Sequence, residues 1–228
     1  MLLADFDYDL PEEAIAQVPA EPRDSSRLLV LHRDSGELEH RVFHDVTEYL
    51  RPDDTLVVND TRVIPARVHA TKETGGRVEM LLLSRRNPGV WEAMVRPGKR
   101  VRPGMRLQLE HADLQVEVLD RTEGGGRILR FSGAEDPDAA LLGSGEVPLP
   151  PYIHQTLADT NRYQTVYAQQ AGSAAAPTAG LHFTPALMDK VKAMGVTVAR
   201  VTLHIGLATF QPVREEDIAD HQMHVEEY

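Results

Sequence analysis

The sequence predicts an α/β protein interrupted by an inserted antiparallel β module of six short strands, a small barrel or a sandwich. Three observations lead there. Six short strand-like runs follow one another between residues 65 and 146, parted mostly by Gly- and Pro-containing turns. On the C-terminal side, a run of small residues feeds an amphipathic helix and then an apolar strand. Basic residues crowd into the middle of the chain while the remainder is acidic.

The elements read in order as follows. Leu28–Leu31, the turn residues Arg33-Asp34-Ser35-Gly36 and Glu37–Phe43 form a hairpin. Asp45–Leu50 makes one or two helical turns, closed by Arg51-Pro52-Asp53-Asp54. Thr55–Val58 is a strand that runs directly into Asn59-Asp60-Thr61-Arg62. The six strands of the inserted module are expected near Arg67–Thr71, Arg77–Ser84, Trp91–Val95, Met105–Glu110, Gln115–Asp120 and Arg127–Phe131. Their breaks are Gly75-Gly76, Asn87-Pro88-Gly89, Pro97-Gly98 with Pro103-Gly104, a link at His111–Leu114, and Gly124-Gly125-Gly126. Pro148–Pro151 is a stiff connector back to the body. Thr184 is an N-cap and Pro185 sits at the first helical position, where its missing N–H costs nothing. Leu187, Val191 and Met194 then share one helix face, and Gly195 stops the helix. Val196–Ile205 follows as a strand apolar enough to lie buried in a sheet.

Charge and composition narrow the function classes. The net charge of −11 argues against a uniformly basic nucleic-acid binder. Between Arg62 and Arg106, however, eleven basic residues face three acids, so a basic module rides on an acidic body. Only a local patch must meet a phosphate backbone, although an unevenly charged solvated surface reads the same way. The chain has no cysteine, which removes disulfides, thiolate metal sites and cysteine nucleophiles together. No apolar stretch is long enough to span a membrane, and the acidic N-terminus lacks a signal pattern, so a cytoplasmic protein with no membrane partner is expected.

Ten segments carry a family resemblance. GSAAAPTAGLHFTP (172–185) resembles the hallmark segment of the S-adenosylmethionine:tRNA ribosyltransferase-isomerases of queuosine biosynthesis. DFDYDLP (5–11), PRDSSRLLVL (22–31), VVNDTRVIPAR (57–67), ETGGRVEMLLL (73–83) and VRPGKR (95–100) are similar to family segments in family order. So are LPPYI (149–153), RYQTVYA (162–168), TLHIGLATFQPV (202–213) and HQMHVEEY (221–228). The resemblance covers essentially the whole chain. It departs at Ala208, where the family usually has glycine, and at Gln211, often arginine. Family members also usually run on beyond the point that matches Tyr228.

The resemblance implies an α/β body with an inserted six-stranded antiparallel β-barrel domain, the body from 1–64 plus 147–228 and the barrel from 65–146. The implied reaction moves and isomerises the ribosyl part of S-adenosylmethionine onto 7-aminomethyl-7-deazaguanine in tRNA. Adenine and methionine leave, and the tRNA carries epoxyqueuosine. The implied partners are that tRNA and S-adenosylmethionine, the latter a substrate. No cofactor and no metal is expected, and the protein is expected to act as a monomer.

Such chemistry needs a base near C5′, a hydrogen bond for departing adenine and exclusion of water. His204, late in the last strand, and His182, after the small-residue loop, are the candidates for proton transfer; either could instead be a histidine that only makes structural hydrogen bonds. Asn59, Asp60, Thr61 and Arg62 suit substrate recognition at a strand end, or simple turn capping. Thr178, Ala179 and Gly180 would let backbone approach substrate closely, or make a tight packing turn. Arg96, Lys99 and Arg100 suit tRNA phosphates, or a solvated loop. His221, His224 and Glu226 form an H-x-x-H-x-E pattern that bears checking for metal, though its spacing is not that of a zinc-protease helix. A non-catalytic RNA-binding module, a metal-dependent hydrolase and a scaffold without a nucleic-acid role are the competing classes.

Overall fold

The computed structural model describes residues 1–155, 157–206, 213 and 215–222. Its centre is a closed, six-stranded antiparallel barrel built from β5 (Arg67–Lys72), β6 (Arg77–Asn87), β7 (Val90–Arg96), β8 (Arg106–Leu109), β9 (Gln115–Arg121) and β10 (Arg127–Ser132). Going round the barrel the order is β10-β7-β6-β5-β8-β9, and the β9–β10 pairing closes it. Alternation explains the fold. Val68 and Ala70, then Val78, Met80 and Leu82, then Ala93 and Val95, and Val116 and Val118 all point inward and are buried. Each large side chain among them contributes about 1.5–3 kcal/mol by leaving water.

A short helix the sequence reading did not anticipate, α1 (Pro137–Gly143), plugs one barrel end with the fully buried Leu141. Its start is well determined. The Asp136 carboxylate accepts from the Asp138 and Ala139 N–H groups, and Pro137 occupies the first turn. The Asp138 carboxylate in turn accepts from Trp91 Nε1 at 2.7 Å and pairs with Arg85, which ties the helix to β6 and β7.

The body is built from both ends of the chain. β1 (Arg27–Leu31) and β2 (Leu38–Val42) form the expected hairpin. The helical turns after it are a 3-10 helix over Phe43–Tyr49, two residues earlier than expected at its start. β3 (Thr55–Asn59) pairs in parallel with β12 (Thr197–Val201), and β4 (Thr61–Val63) pairs in parallel with β11 (Gln170–Ser173). α2 (Pro185–Ala193) is capped by the Thr184 hydroxyl accepting from Leu187 N–H, and Gly195, at φ +90°, ends it. Leu187, Met188, Val58, Phe43, Tyr167 and Phe183 form the body's main core. At the edge, Leu2 bridges to Asp217, so the first residues pair with a segment more than two hundred residues later.

The last strand differs from expectation in two ways. It ends at Val201 rather than Ile205, and it is not fully buried: Val201 is 48% exposed and its neighbour Val57 59%. The ladder stops because β3 stops. The Asn59 side chain takes over, donating Nδ2–H to Leu203 O at 2.8 Å and accepting from Leu203 N–H at 3.1 Å. The chain then crosses to β11, where Ala174 N–H donates to Ile205 O and Ile205 N–H donates to Ser173 Oγ. Only one face of the β3–β12 pair meets the core formed with α2 and Phe43.

Candidate functional site

The ends of β3 and β12 meet in a hydrogen-bonded cluster that gathers several of the residues singled out in the sequence. Asn59 binds Leu203 as above, and its Oδ1 also accepts from Thr61 N–H at 3.1 Å. The Asp60 carboxylate, 6% exposed, accepts from the Thr202 hydroxyl at 2.7 Å. Asp60 N–H donates to Val201 O, and its carbonyl accepts from Gln169 and Gln170 N–H. Asn59 and Asp60 therefore spend most of their capacity fastening β3, β11 and β12 together.

Thr61 and His204 are differently disposed. Thr61 Oγ1, on a side chain only 1% exposed, lies 2.7 Å from His204 Nδ1 and 3.4 Å from the Gln170 carbonyl. A carbonyl can only accept, so the hydroxyl donates to Gln170 O and accepts from Nδ1–H of His204. That direction leaves a lone pair on Nε2, which has no hydrogen-bond partner among the described residues. The ring sits flat against Gly172, where an added Cβ would lie 2.8 Å from Cε1 and Nε2. Gly172 is thus required by the close approach of the imidazole. An imidazole held in one orientation with one ring nitrogen left free is the geometry that a proton-transfer group needs.

His182 sits in another environment. Its Nδ1 is 2.8 Å from Ser26 Oγ, and its ring lies 4.9 Å from that of Phe43. It belongs to the 3-10 helix Thr178–His182, in which Thr178 and Ala179 are exposed and Gly180 is buried. The loop packs tightly: a Cβ on Gly180 would lie 2.1 Å from the Tyr167 hydroxyl oxygen. Burial pushes the Tyr167 pKa up. Arg23 staples this region, donating to Gln164 O at 2.6 Å, Asn161 O at 2.9 Å and Leu181 O at 3.4 Å. Sequence reading missed Arg23, because its partners lie well over a hundred residues away.

Arg62 is exposed on β4 and lines a cavity of about 540 Å³ between barrel and body, together with Arg67, Glu146, Leu149, Ile153 and Gln164. Arg96, Lys99 and Arg100 are exposed at the other end of the barrel. The strand registers set Lys72 beside Leu107, Arg77 beside Thr71, Arg96 beside Glu79 and Arg121 beside Arg127, all at the end remote from α1. That end is therefore basic as a whole. Arg127 organises it. Its guanidinium, 4% exposed, donates to the carbonyls of Val101, Gly125 and Gly126 at 2.8 Å and to Gly98 at 2.6 Å. Burial first, and Arg121 second, lower its pKa. Lys72 Nζ donates to the Arg100 carbonyl at 2.7 Å, tightening the same loop.

His221 pairs with Glu215, Nδ1 to Oε2 3.1 Å. Ala208, Gln211, His224 and Glu226 lie outside the described residues. Among the described residues no group of three or more acidic or histidine side chains is set to hold a metal ion. Among the same residues no helix is long and apolar enough to cross a membrane.

Comparison with known proteins places these features in a family. Residues 3–228 match the family described as "Queuosine biosynthesis protein". The S-adenosylmethionine:tRNA ribosyltransferase-isomerase of Symbiobacterium thermophilum is 54% identical over all of this chain and 67% of its own length. The proteins of that name from Moorella thermoacetica and Staphylococcus haemolyticus are 54% and 52% identical, again over 100% of this chain and 67% of theirs. The chain thus spans about two thirds of the length of these relatives. A crystal structure of an S-adenosylmethionine tRNA ribosyltransferase from Thermotoga maritima is 41% identical, covering 88% of this chain and 58% of that one, with a TM-score of 0.37.

Proposed function

The chain belongs to the queuosine biosynthesis protein family, and from that premise we propose that it transfers and isomerises the ribosyl group of S-adenosylmethionine onto 7-aminomethyl-7-deazaguanine in tRNA. The products are epoxyqueuosine-tRNA, adenine and methionine. The observation that carries this reading is the match over residues 3–228, joined to relatives of that activity name at better than half identity. We take residues 65–146 as the inserted barrel domain and the two flanking segments as the body. The protein acts in the cytoplasm as a monomer and needs no cofactor, since S-adenosylmethionine is consumed.

In this reading each residue has a task. The free Nε2 of His204 takes the proton from C5′, which the adjacent sulfonium already acidifies. Thr61 and Gly172 hold the imidazole in its tautomer and orientation. Loss of adenine follows, the exocyclic amine attacks, and ring closure expels methionine. Asn59 and Asp60 keep the strand ends rigid, and Arg62 binds substrate. Thr178 and Ala179 offer a hydroxyl and open backbone near Gly180, with His182 as the second proton-transfer candidate. Arg96, Lys99 and Arg100 neutralise tRNA phosphates at the barrel end remote from α1.

The test is adenine release from S-adenosylmethionine with and without tRNA bearing 7-aminomethyl-7-deazaguanine. Release that depends on the modified base is expected. His204→Ala should abolish it while tRNA affinity holds, and near-normal turnover would end that assignment. Lys99→Glu with Arg100→Glu should weaken tRNA binding and flatten its salt dependence; unchanged affinity would remove the barrel end from the RNA interface.

A further inference from the structure

The junction cavity holds charges that the protein leaves unpaired. Some arginines of the barrel have carboxylate partners, Arg77 with Glu110, Arg85 with Asp138 and Arg130 with Glu117, and the buried Arg127 is satisfied by four carbonyls. Arg62 and Arg67 have none among the described residues. Among the described residues Arg67 reaches only the Leu149 carbonyl, at 3.5 Å, and its buried Nε has no partner there. A buried donor of this kind is costly until something accepts from it. Glu146 is held beside Arg67 by two backbone hydrogen bonds, 3.0 and 2.8 Å, yet the two side chains form no ion pair. The Gln164 amide is held by Val63, its Oε1 accepting from the Val63 N–H and its Nε2 donating to the Val63 carbonyl, so it acts as fixed wall. Leu149, Ile153 and Leu157 give the cavity an aliphatic side, and His154, Gln155, Thr160 and Asn161 add polar groups to its lining. The cavity's volume, about 540 Å³, lies in the range usual for small-ligand sites.

Two guanidiniums, a separate carboxylate and an aliphatic wall match one chemical class, an α-amino acid zwitterion with an unbranched apolar side chain. We propose that this cavity binds the amino-acid end of S-adenosylmethionine. Arg62 and Arg67 take its carboxylate, Glu146 its ammonium, and Leu149 and Ile153 its methylenes. The inference rests on the functional reading above and adds the subsite to it.

The test compares S-adenosylmethionine with its decarboxylated analogue by equilibrium binding in the presence of modified tRNA, with adenine release measured alongside. The full substrate should bind at least about 100-fold more tightly, the worth of two charge-assisted hydrogen bonds at about 1.5 kcal/mol each. Arg67→Met or Arg62→Gln should reduce that preference to within about threefold, chiefly by weakening the full substrate, and Arg67→Lys should restore part of it. Equal affinities in the unaltered protein, with adenine still released, would sink the subsite and leave the reaction standing. Variants that keep the preference but lose tRNA affinity would overturn it too, assigning the arginines to an RNA phosphate. Failure to release adenine or bind either compound would instead sink the functional reading, and the subsite with it.

Discussion

Arg127→Met isolates what one buried guanidinium does for the basic end of the barrel. Methionine keeps the length of the side chain and removes every donor. Four carbonyl oxygens, at Gly98, Val101, Gly125 and Gly126, lose their partner at once. At about 1.5 kcal/mol for a hydrogen bond from a charged donor, the gross loss is about 6 kcal/mol. Part of this is returned, because the charge is held against burial and against Arg121, as its lowered pKa shows. If about half comes back, the net loss is about 3 kcal/mol. For a chain of this size each kcal/mol moves Tm by about 2–4 °C, so a fall of about 6–12 °C is expected. Thermal unfolding followed by circular dichroism reads it directly. Limited trypsin digestion is the second readout: cleavage after Lys99 and Arg100 should accelerate as the loop from 97 to 104 loosens. A Tm unchanged or raised, with the same cleavage rate, would show that the carbonyls are satisfied without the guanidinium and that the loop holds itself.

Three further outcomes follow from named contacts. Gly180→Ala should destabilise the body by more than about 2 kcal/mol, since its Cβ would meet the Tyr167 hydroxyl at 2.1 Å; a variant as stable as the parent in urea would mean that the loop gives way freely. Thr61→Val keeps shape but removes the hydroxyl bonded to His204, so turnover should fall about 10- to 100-fold with the fold retained, and the pH–rate profile should shift; an unchanged profile would deny Thr61 its orienting role. Hydrogen bonds from His32 and then Arg41 hold the Glu39 carboxyl below its ordinary pKa. A depressed folded-state pKa stabilises above the unfolded value and is lost as pH falls through the folded one. Glu39→Gln should therefore narrow the stability gap between parent and variant on the acid side, and a gap that widens toward low pH would contradict the sign.

The barrel was legible because its six strands alternate cleanly and its turns contain glycine or proline, so Val78, Met80 and Leu82 announce their inward face. The body was harder for a physical reason. Its strands pair in parallel with partners far away in sequence, and Gln170–Ser173 has no strand-forming side chain at all; it is a strand because β4 offers it a ladder. Helix α1 was missed although Asp136 and Pro137 carried a start signal, since a seven-residue helix shows too little periodicity to read. The proximity of His204 to Thr61 is likewise tertiary, a contact over 143 positions. The sequence singled out both residues without being able to join them. It singled out His182 as well, but not Ser26, its neighbour in space.

The long-range pairing of β3 with β12 also bears on how the protein is made. Thr55 faces Thr197, so 142 residues separate the two partners. At a ribosome speed of about 5–20 residues per second, β3 waits about 7–28 s for its mate. The barrel strands, each paired with another between Arg67 and Ser132, can close within that interval. Once closed, the clasp between Arg67 and Glu146 brings the two flanking segments side by side and shortens the loop that the late pairing must bridge. Until then the nascent chain carries an unzipped strand edge with Leu56 and Val58 on one side, the kind of surface that holding chaperones retain and that aggregation recruits. The insertion that supplies the basic surface thereby also sets the order of assembly, with the barrel first and the body closing behind it.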